Sequence, residues 1–155
     1  MSNANSQYAR YPSLEGRSVV ITGGATGIGA SLVAHFARQG SRVAFIDVQD
    51  EPARLLSGSL AAEGCPEPLY MNCDLTDTAS IRNSVQEIVA AHGAVDVLVN
   101  NAGNDQRHSI EEVTPELWDR SMAVNLRPHF FMTQAVLPAM RAAGSGSIVN
   151  MSSIS

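Results

Sequence analysis

Short apolar runs alternate along this chain with longer stretches of helical spacing. Ser18-Val19-Val20-Ile21 is a compact apolar run, and Ile28, Leu32, Val33 and Phe36 then recur as one face of a helix does. The pattern predicts a strand over Ser18–Thr22 and a helix from Ile28 to Gln39, stopped by Gly40. A second strand is expected over Arg42–Ile46, ending at Asp47, then a helix from Glu51 to Glu63, stopped by Gly64. A short third strand reads as Pro68–Met71. Thr76 is the expected N-cap of a helix running to His92, ended by Gly93. Val95–Val99 reads as the fourth strand, with a polar loop over Asn104 to Ser109. Two helices are expected over Pro115–Asn125 and Pro128–Ala143. After the turn Gly144-Ser145-Gly146 comes a fifth strand, Ser147–Met151. Strands that are almost wholly apolar are buried on both faces. Their alternation with helices predicts an α/β fold, a doubly wound parallel sheet ordered 3-2-1-4-5.

Composition narrows the class. The chain has 155 residues, 45% hydrophobic and 16% charged, which suits one globular domain over residues 14–155 behind a polar, flexible arm over residues 1–13. A net charge of −5 argues against a nucleic-acid partner, which would need a basic face. No apolar run approaches the ~20 residues of a membrane helix, so no membrane partner is expected. The arm lacks the apolar stretch of a signal peptide. Cys65 and Cys73 fit no metal or redox spacing. Reduced thiols in a cytoplasmic protein without a metal are the expectation.

The candidate chemistry starts at Thr22-Gly23-Gly24-Ala25-Thr26-Gly27-Ile28-Gly29. Strand, glycine turn and helix in that order form the start of a dinucleotide-binding unit. The glycines serve a tight turn, close backbone approach to a pyrophosphate, and close packing of helix on strand. The phosphates would sit over the helix N-terminus, where free N–H groups and the macrodipole favour negative charge. Asp47, at the end of the second strand, is placed to accept hydrogen bonds from ribose hydroxyls and to repel a 2′-phosphate. Neither Thr26 nor Val48 brings a positive charge, so NAD is expected rather than NADP. An ordinary turn aspartate is the competing reading of Asp47.

Five motifs lie in one order and spacing: Thr22-Gly-x-x-x-Gly27-x-Gly29, Asp74-Leu75, Asn101-Ala102-Gly103, Asn125, and Ile148-Val149-Asn150-Met151-Ser152-Ser153. From about Leu14 onward the chain resembles the short-chain dehydrogenase/reductase family. The resemblance implies that Gly23, Gly27 and Gly29 line the pyrophosphate, with the Ile28 backbone in contact and Thr26 in the same cofactor-binding set. It implies that Asp74 bonds the adenine amino group beside the Leu75 backbone, and that Asn101, Ala102 and Gly103 close the site past the fourth strand. Asn125 resembles the family's catalytic asparagine, which holds a water in a proton relay; a helix-kink residue is its structural alternative. Ser153 matches the serine that bonds the substrate oxygen, with Ser152 as runner-up.

The family's chemistry also uses a Tyr-x-x-x-Lys pair downstream of that serine. The tyrosine exchanges a proton with the substrate hydroxyl, and the lysine lowers its pKa. This chain stops at Ser155, all ten of its basic residues are arginine, and its tyrosines, Tyr8, Tyr11 and Tyr70, lie upstream. The expectation is the N-terminal portion of a longer enzyme, inactive alone, with the later strands absent and the fifth strand's edge exposed.

Substrate clues come from Asn104-Asp105-Gln106-Arg107-His108, directly after Asn101-Ala102-Gly103. Loops past strand C-termini face the ligand crevice. Asn104, Asp105, Arg107 and His108 could bind a hydroxyl-rich ligand, and with Ser153 they are the candidate substrate contacts. The string resembles that of bacterial NAD-dependent aldose 1-dehydrogenases of the family, which oxidise galactose, xylose or arabinose at C1. A solvated loop, with Asp105 paired to Arg107 for example, is the plain alternative. A non-sugar alcohol or ketone and a non-catalytic NAD-binding module remain open too. A methyltransferase is disfavoured by the glycine spacing, Asn101-Ala102-Gly103 and Ser153. His35 reads as a helix-surface or packed histidine, Trp118 as a packing residue, and His92 as a charge suited to a helix C-terminus. Phe130, Phe131, Met132, Ala135, Val136 and Met140 form a broad apolar surface. In the family the equivalent helix often packs across a dimer interface, so a homo-oligomer, dimer or tetramer, is expected of the full-length protein.

Overall fold

A computed structural model describes residues 9–152. Five strands form one parallel sheet: β1 (Ser18–Thr22), β2 (Arg42–Asp47), β3 (Leu69–Asn72), β4 (Val97–Asn100) and β5 (Ser147–Asn150). The helices are α1 (Gly27–Arg38), α2 (Asp50–Ala62), α3 (Thr78–His92), α4 (Pro115–Asn125) and α5 (Arg127–Ala143). The sheet order is β3-β2-β1-β4-β5, as the alternation of elements predicts. Sequential pairing reverses direction at β1, so its two neighbours, β2 and β4, open a crevice at their shared C-terminal ends.

Period-2 alternation divides the core. Val19, Ile21, Val43, Phe45 and Val99 face α1 and α2, against Val33, Ala34, Ala37, Ala53 and Leu60. Val20, Ala44, Ile46 and Leu98 face the other way, against Ile81, Val85 and Ile88 of α3 and Met132, Val136 and Met140 of α5. Both faces of the central strands are therefore dry, which is why their sequences carry no polar alternation.

Several local expectations need correction. Ile28 does not join the helix's buried face; it is 66% exposed at the first turn of α1. The N-cap of α3 is Asp77, whose carboxylate accepts from Ala79 N at 2.9 Å and from Ser80 Oγ at 2.7 Å. Thr76 lies too early, and its own amide is taken by Asp74 Oδ1. Val95 is buried but precedes the ladder, so β4 starts at Val97. The two edge strands are not buried on both faces: β3 is half-buried and β5 mostly exposed, with Val149 open. Trp118 is exposed rather than packed, because α4 buries none of its residues; on α5, Met132, Val136 and Met140 turn into the chain's own core and leave Phe130 exposed, so the six apolar residues do not form one outward surface. Burial lowers the His92 pKa, with Arg42 adding to the effect, so this end of α3 disfavours the cationic form expected there.

The arm is tied down within the described residues. Gln39 donates to the Ala9 carbonyl and accepts from Tyr11 N, and Ser41 Oγ donates to the Leu14 carbonyl. No helix among the described residues is long and apolar enough to cross a membrane.

Candidate functional site

The C-terminal ends of β1, β2 and β4 converge on one turn, Thr22 to Gly29. Gly23 has a positive φ of 66°, and its N–H donates to the Ile46 carbonyl of β2 at 2.8 Å. A Cβ on Gly23 would lie 2.8 Å from the Ala102 Cα, and one on Gly24 2.6 Å from the Phe45 Cβ. The turn is thus pressed between the segments that follow β4 and β2. Gly29 closes it from below, since a Cβ there would overlap the Gly23 carbonyl oxygen. Gly27 differs: its φ is 57°, and a Cβ on it would meet open space. That space lies at the start of α1, whose cap residue Thr26 makes no side-chain cap hydrogen bond and whose first turn holds no acidic residue. The first amides of α1 have no partner within the helix. An acid-free helix start, open at Gly27 and without a side-chain cap, fits a pyrophosphate.

Asp47 ends β2 at 8% exposure. Its Oδ2 accepts from Ala25 N at 2.9 Å, and its Oδ1 from Val48 N at 2.8 Å and Gln49 N at 3.1 Å. Three of the roughly four acceptor positions of a carboxylate are used. One remains for a ligand hydroxyl, at the edge of the glycine turn. Gln49 reaches across as well, Nε2 to Thr26 Oγ1 at 3.3 Å.

Thr22 anchors the segment after β4. Its hydroxyl accepts from Asn101 N at 2.9 Å and Ala102 N at 3.0 Å, while Asn101 Nδ2 donates to the Thr22 and Gly23 carbonyls. Asn101, Ala102 and Gly103 are thereby fixed over β1. Asn125, at the end of α4, accepts from Asn104 N at 2.6 Å and donates to the Asn104 carbonyl at 3.0 Å. Its amide also donates to Ser121 Oγ at 3.2 Å, one turn back. This reciprocal pair joins α4 to the loop after β4. His129 of α5 is near the same loop: burial lowers its pKa, and a hydrogen bond to the Ala102 backbone opposes that.

Glycine turn, Asp47 and Asn101–Gly103 thus meet in one crevice, with Asn125 joined to it through Asn104. Asp74 stands apart at the end of β3, exposed, with Oδ1 accepting from Thr76 N, and Leu75 packs toward the α3–α5 core. Asn104, Asp105, Arg107 and His108 are all exposed, and Asp105 and Arg107 do not pair with each other. Ser153 lies outside the described residues. Sequence reasoning quoted Thr22 and Gly24 within the glycine run without giving either a role of its own, and passed over Gln49. Gly24 was visible as an extra glycine inside the motif; the roles of Thr22 and Gln49 rest on contacts to distant segments and had no local signal.

A family model described as short chain dehydrogenase matches residues 17–155. D-xylose 1-dehydrogenase of Caulobacter vibrioides is 52% identical over 147 residues, covering 95% of this chain and 57% of the relative. A probable galactose dehydrogenase of Rhizobium meliloti is 49% identical over 146 residues, covering 94% of this chain and 57% of the relative. Among solved structures, a metagenomic short-chain oxidoreductase in complex with NADP superposes with a TM-score of 0.86 at 36% identity, covering 92% of this chain and 65% of that one. The chain therefore spans little more than half the length of these curated relatives.

Proposed function

The chain belongs to the short-chain dehydrogenase family, and on that premise we propose that the polypeptide carrying it is an NAD-dependent oxidoreductase that oxidises an aldose at C1. A bound nicotinamide dinucleotide supplies the hydride acceptor. The chain's own residues bind and orient. Gly23, Thr26, Gly27, Ile28 and Gly29 would hold the pyrophosphate, Asp74 and Leu75 the adenine, and Asn101, Ala102 and Gly103 the crevice beside β4. Asn125 and Ser153 are the proposed catalytic residues. Asn104, Asp105, Arg107 and His108 are proposed to reach the sugar, because an exposed polar loop at this crevice offers donors and acceptors suited to several hydroxyls. The names of the xylose and galactose relatives support that substrate class. Exposed Trp118, Leu126 and Phe130 support a homo-oligomer, dimer or tetramer.

The observation that carries the choice of NAD is Asp47. Its carboxylate is anchored by three backbone amides, and a fixed negative charge there would accept ribose hydroxyls and repel a 2′-phosphate brought against it. A chain of these 155 residues alone has no lysine and no tyrosine beyond Asn125, so we expect it to bind NAD without turnover. The test uses the full-length natural polypeptide with an aldose panel and both dinucleotides. Wild type should prefer NAD, and Asp47→Ala should weaken NAD while lowering the preference by at least about tenfold, a change of ~1.4 kcal/mol. An unchanged preference in Asp47→Ala would refute its role. Turnover of alcohols but no aldose would refute the substrate class.

A further inference from the structure

Tyr70 has no part in the reading above, yet it sits at the selective end of the sheet. The parallel register of β2 and β3 pairs Phe45 with Tyr70 and Asp47 with Asn72. The phenol oxygen lies 2.8 Å from Asp50 Oδ1 and 3.2 Å from the Asp47 carbonyl, so its one proton serves two acceptors. Asn72 Nδ2 completes the group, donating to Asp50 Oδ1 at 2.9 Å and to the phenol oxygen at 3.1 Å. The ring packs against Phe45 with centroids 5.4 Å apart, and Phe45 is the side chain pressed against Gly24. Burial, with the Asp50 hydrogen bond adding to it, pushes the phenol pKa up to about 12, so it stays a donor at neutral pH.

The segment held at both ends by this phenol contains Val48 and Gln49. Their amides are the two that orient Asp47 Oδ1. We infer that Tyr70 is a positioning residue for dinucleotide selection: it ties the Asp47 backbone to the Asp50 side chain, and so fixes the amides that aim the Asp47 carboxylate. This rests on the reading of Asp47 as the ribose acceptor. A carboxylate fixed in one orientation binds ribose hydroxyls without first being ordered, and cannot turn away from a 2′-phosphate. Loosening the segment therefore weakens NAD and at the same time softens the exclusion of NADP. A role confined to stability would change both affinities together.

The test is titration calorimetry of NAD and NADP against the full-length protein. Tyr70→Phe keeps the ring on Phe45 and removes only the hydroxyl. Loss of one hydrogen bond of typical net worth should raise the NAD dissociation constant by roughly fivefold, and the NAD-over-NADP ratio should fall by a similar factor. Asp50→Ala should do the same, and the double variant should do no more than either, because both remove one linkage. Asp47→Ala run alongside separates the failures. If Asp47→Ala lowers the ratio while Tyr70→Phe leaves it within twofold, the positioning role is overturned and the cofactor reading stands. If neither substitution moves the ratio, both are overturned. A Tyr70→Phe protein that melts earlier and loses both dinucleotides equally also overturns the inference.

Discussion

Replacing Gly29 by alanine should cost more stability than replacing Gly27, the other glycine at the start of α1. The added Cβ would overlap the Gly23 carbonyl oxygen and lie 2.7 Å from Asn101 Nδ2. Neither obstacle yields cheaply. The carbonyl belongs to a turn already pressed against Ala102, and the Asn101 amide holds the Thr22 and Gly23 carbonyls. Overpacking usually costs about 1–3 kcal/mol, and a backbone obstacle puts this case near ~3 kcal/mol. For a domain of this size that corresponds to a fall in Tm of roughly 6–12 °C. Two substitutions act as internal controls. Gly27→Ala meets open space and carries only the cost of its positive φ, about 1–2 kcal/mol. Gly58→Ala, exposed inside α2 with nothing near its Cβ, should stabilise by about 0.5–1 kcal/mol, since alanine loses less backbone freedom in a helix. Urea unfolding of the full-length protein followed by far-UV circular dichroism ranks the three. If Gly29→Ala is no worse than Gly27→Ala, the turn has room to give and the close-packing argument fails.

Thr22→Val keeps the shape of a side chain that is only 1% exposed and removes the oxygen that accepts from Asn101 N and Ala102 N. The cost should be about 2 kcal/mol by denaturant unfolding, with Thr22→Ser losing much less; equal stability of the valine variant would show that water replaces the oxygen. Acidification should weaken the fold through His92 and His129, both of whose pKa values are lowered chiefly by burial. The sign follows from proton counts: as pH falls below the unfolded value near 6.5, the unfolded chain takes up protons that the folded chain resists. Stability should be intact above about pH 6.5 and decline through the interval down to the folded values, with His92→Gln flattening the slope; a wild-type profile flat from pH 7 to 5 would contradict this.

The candidate crevice was legible to different depths. Gly23, Gly27 and Gly29 stood out through a local need, backbone freedom or close approach at a turn, and Asp47 as a polar group just past an apolar strand; Asn101–Gly103 were marked by the family resemblance. The tyrosine at position 70 looked like one more residue of a short strand. Its interest comes from Asp47, Asp50 and Asn72, which reach it from β2, α2 and β3. Ile28 misled for a related reason. Its spacing fitted the apolar face, but α1 starts at the mouth of the crevice, beyond the helices and strands that would cover it.

Element order, sheet order and the position of the glycine turn came from the chain's own pattern. Hydrophobic periodicity and glycine stops act over a few residues, and a right-handed parallel crossover leaves little freedom in joining them. Tertiary structure alone decided which polar groups meet. Thr22 bonds an amide 79 residues away because the β1–β4 register sets Val19 opposite Val97. Asp47 reaches Ala25 because β1 and β2 end level with each other. Such contacts depend on register and on close packing between segments distant in sequence, and no local preference of a threonine or an aspartate encodes them.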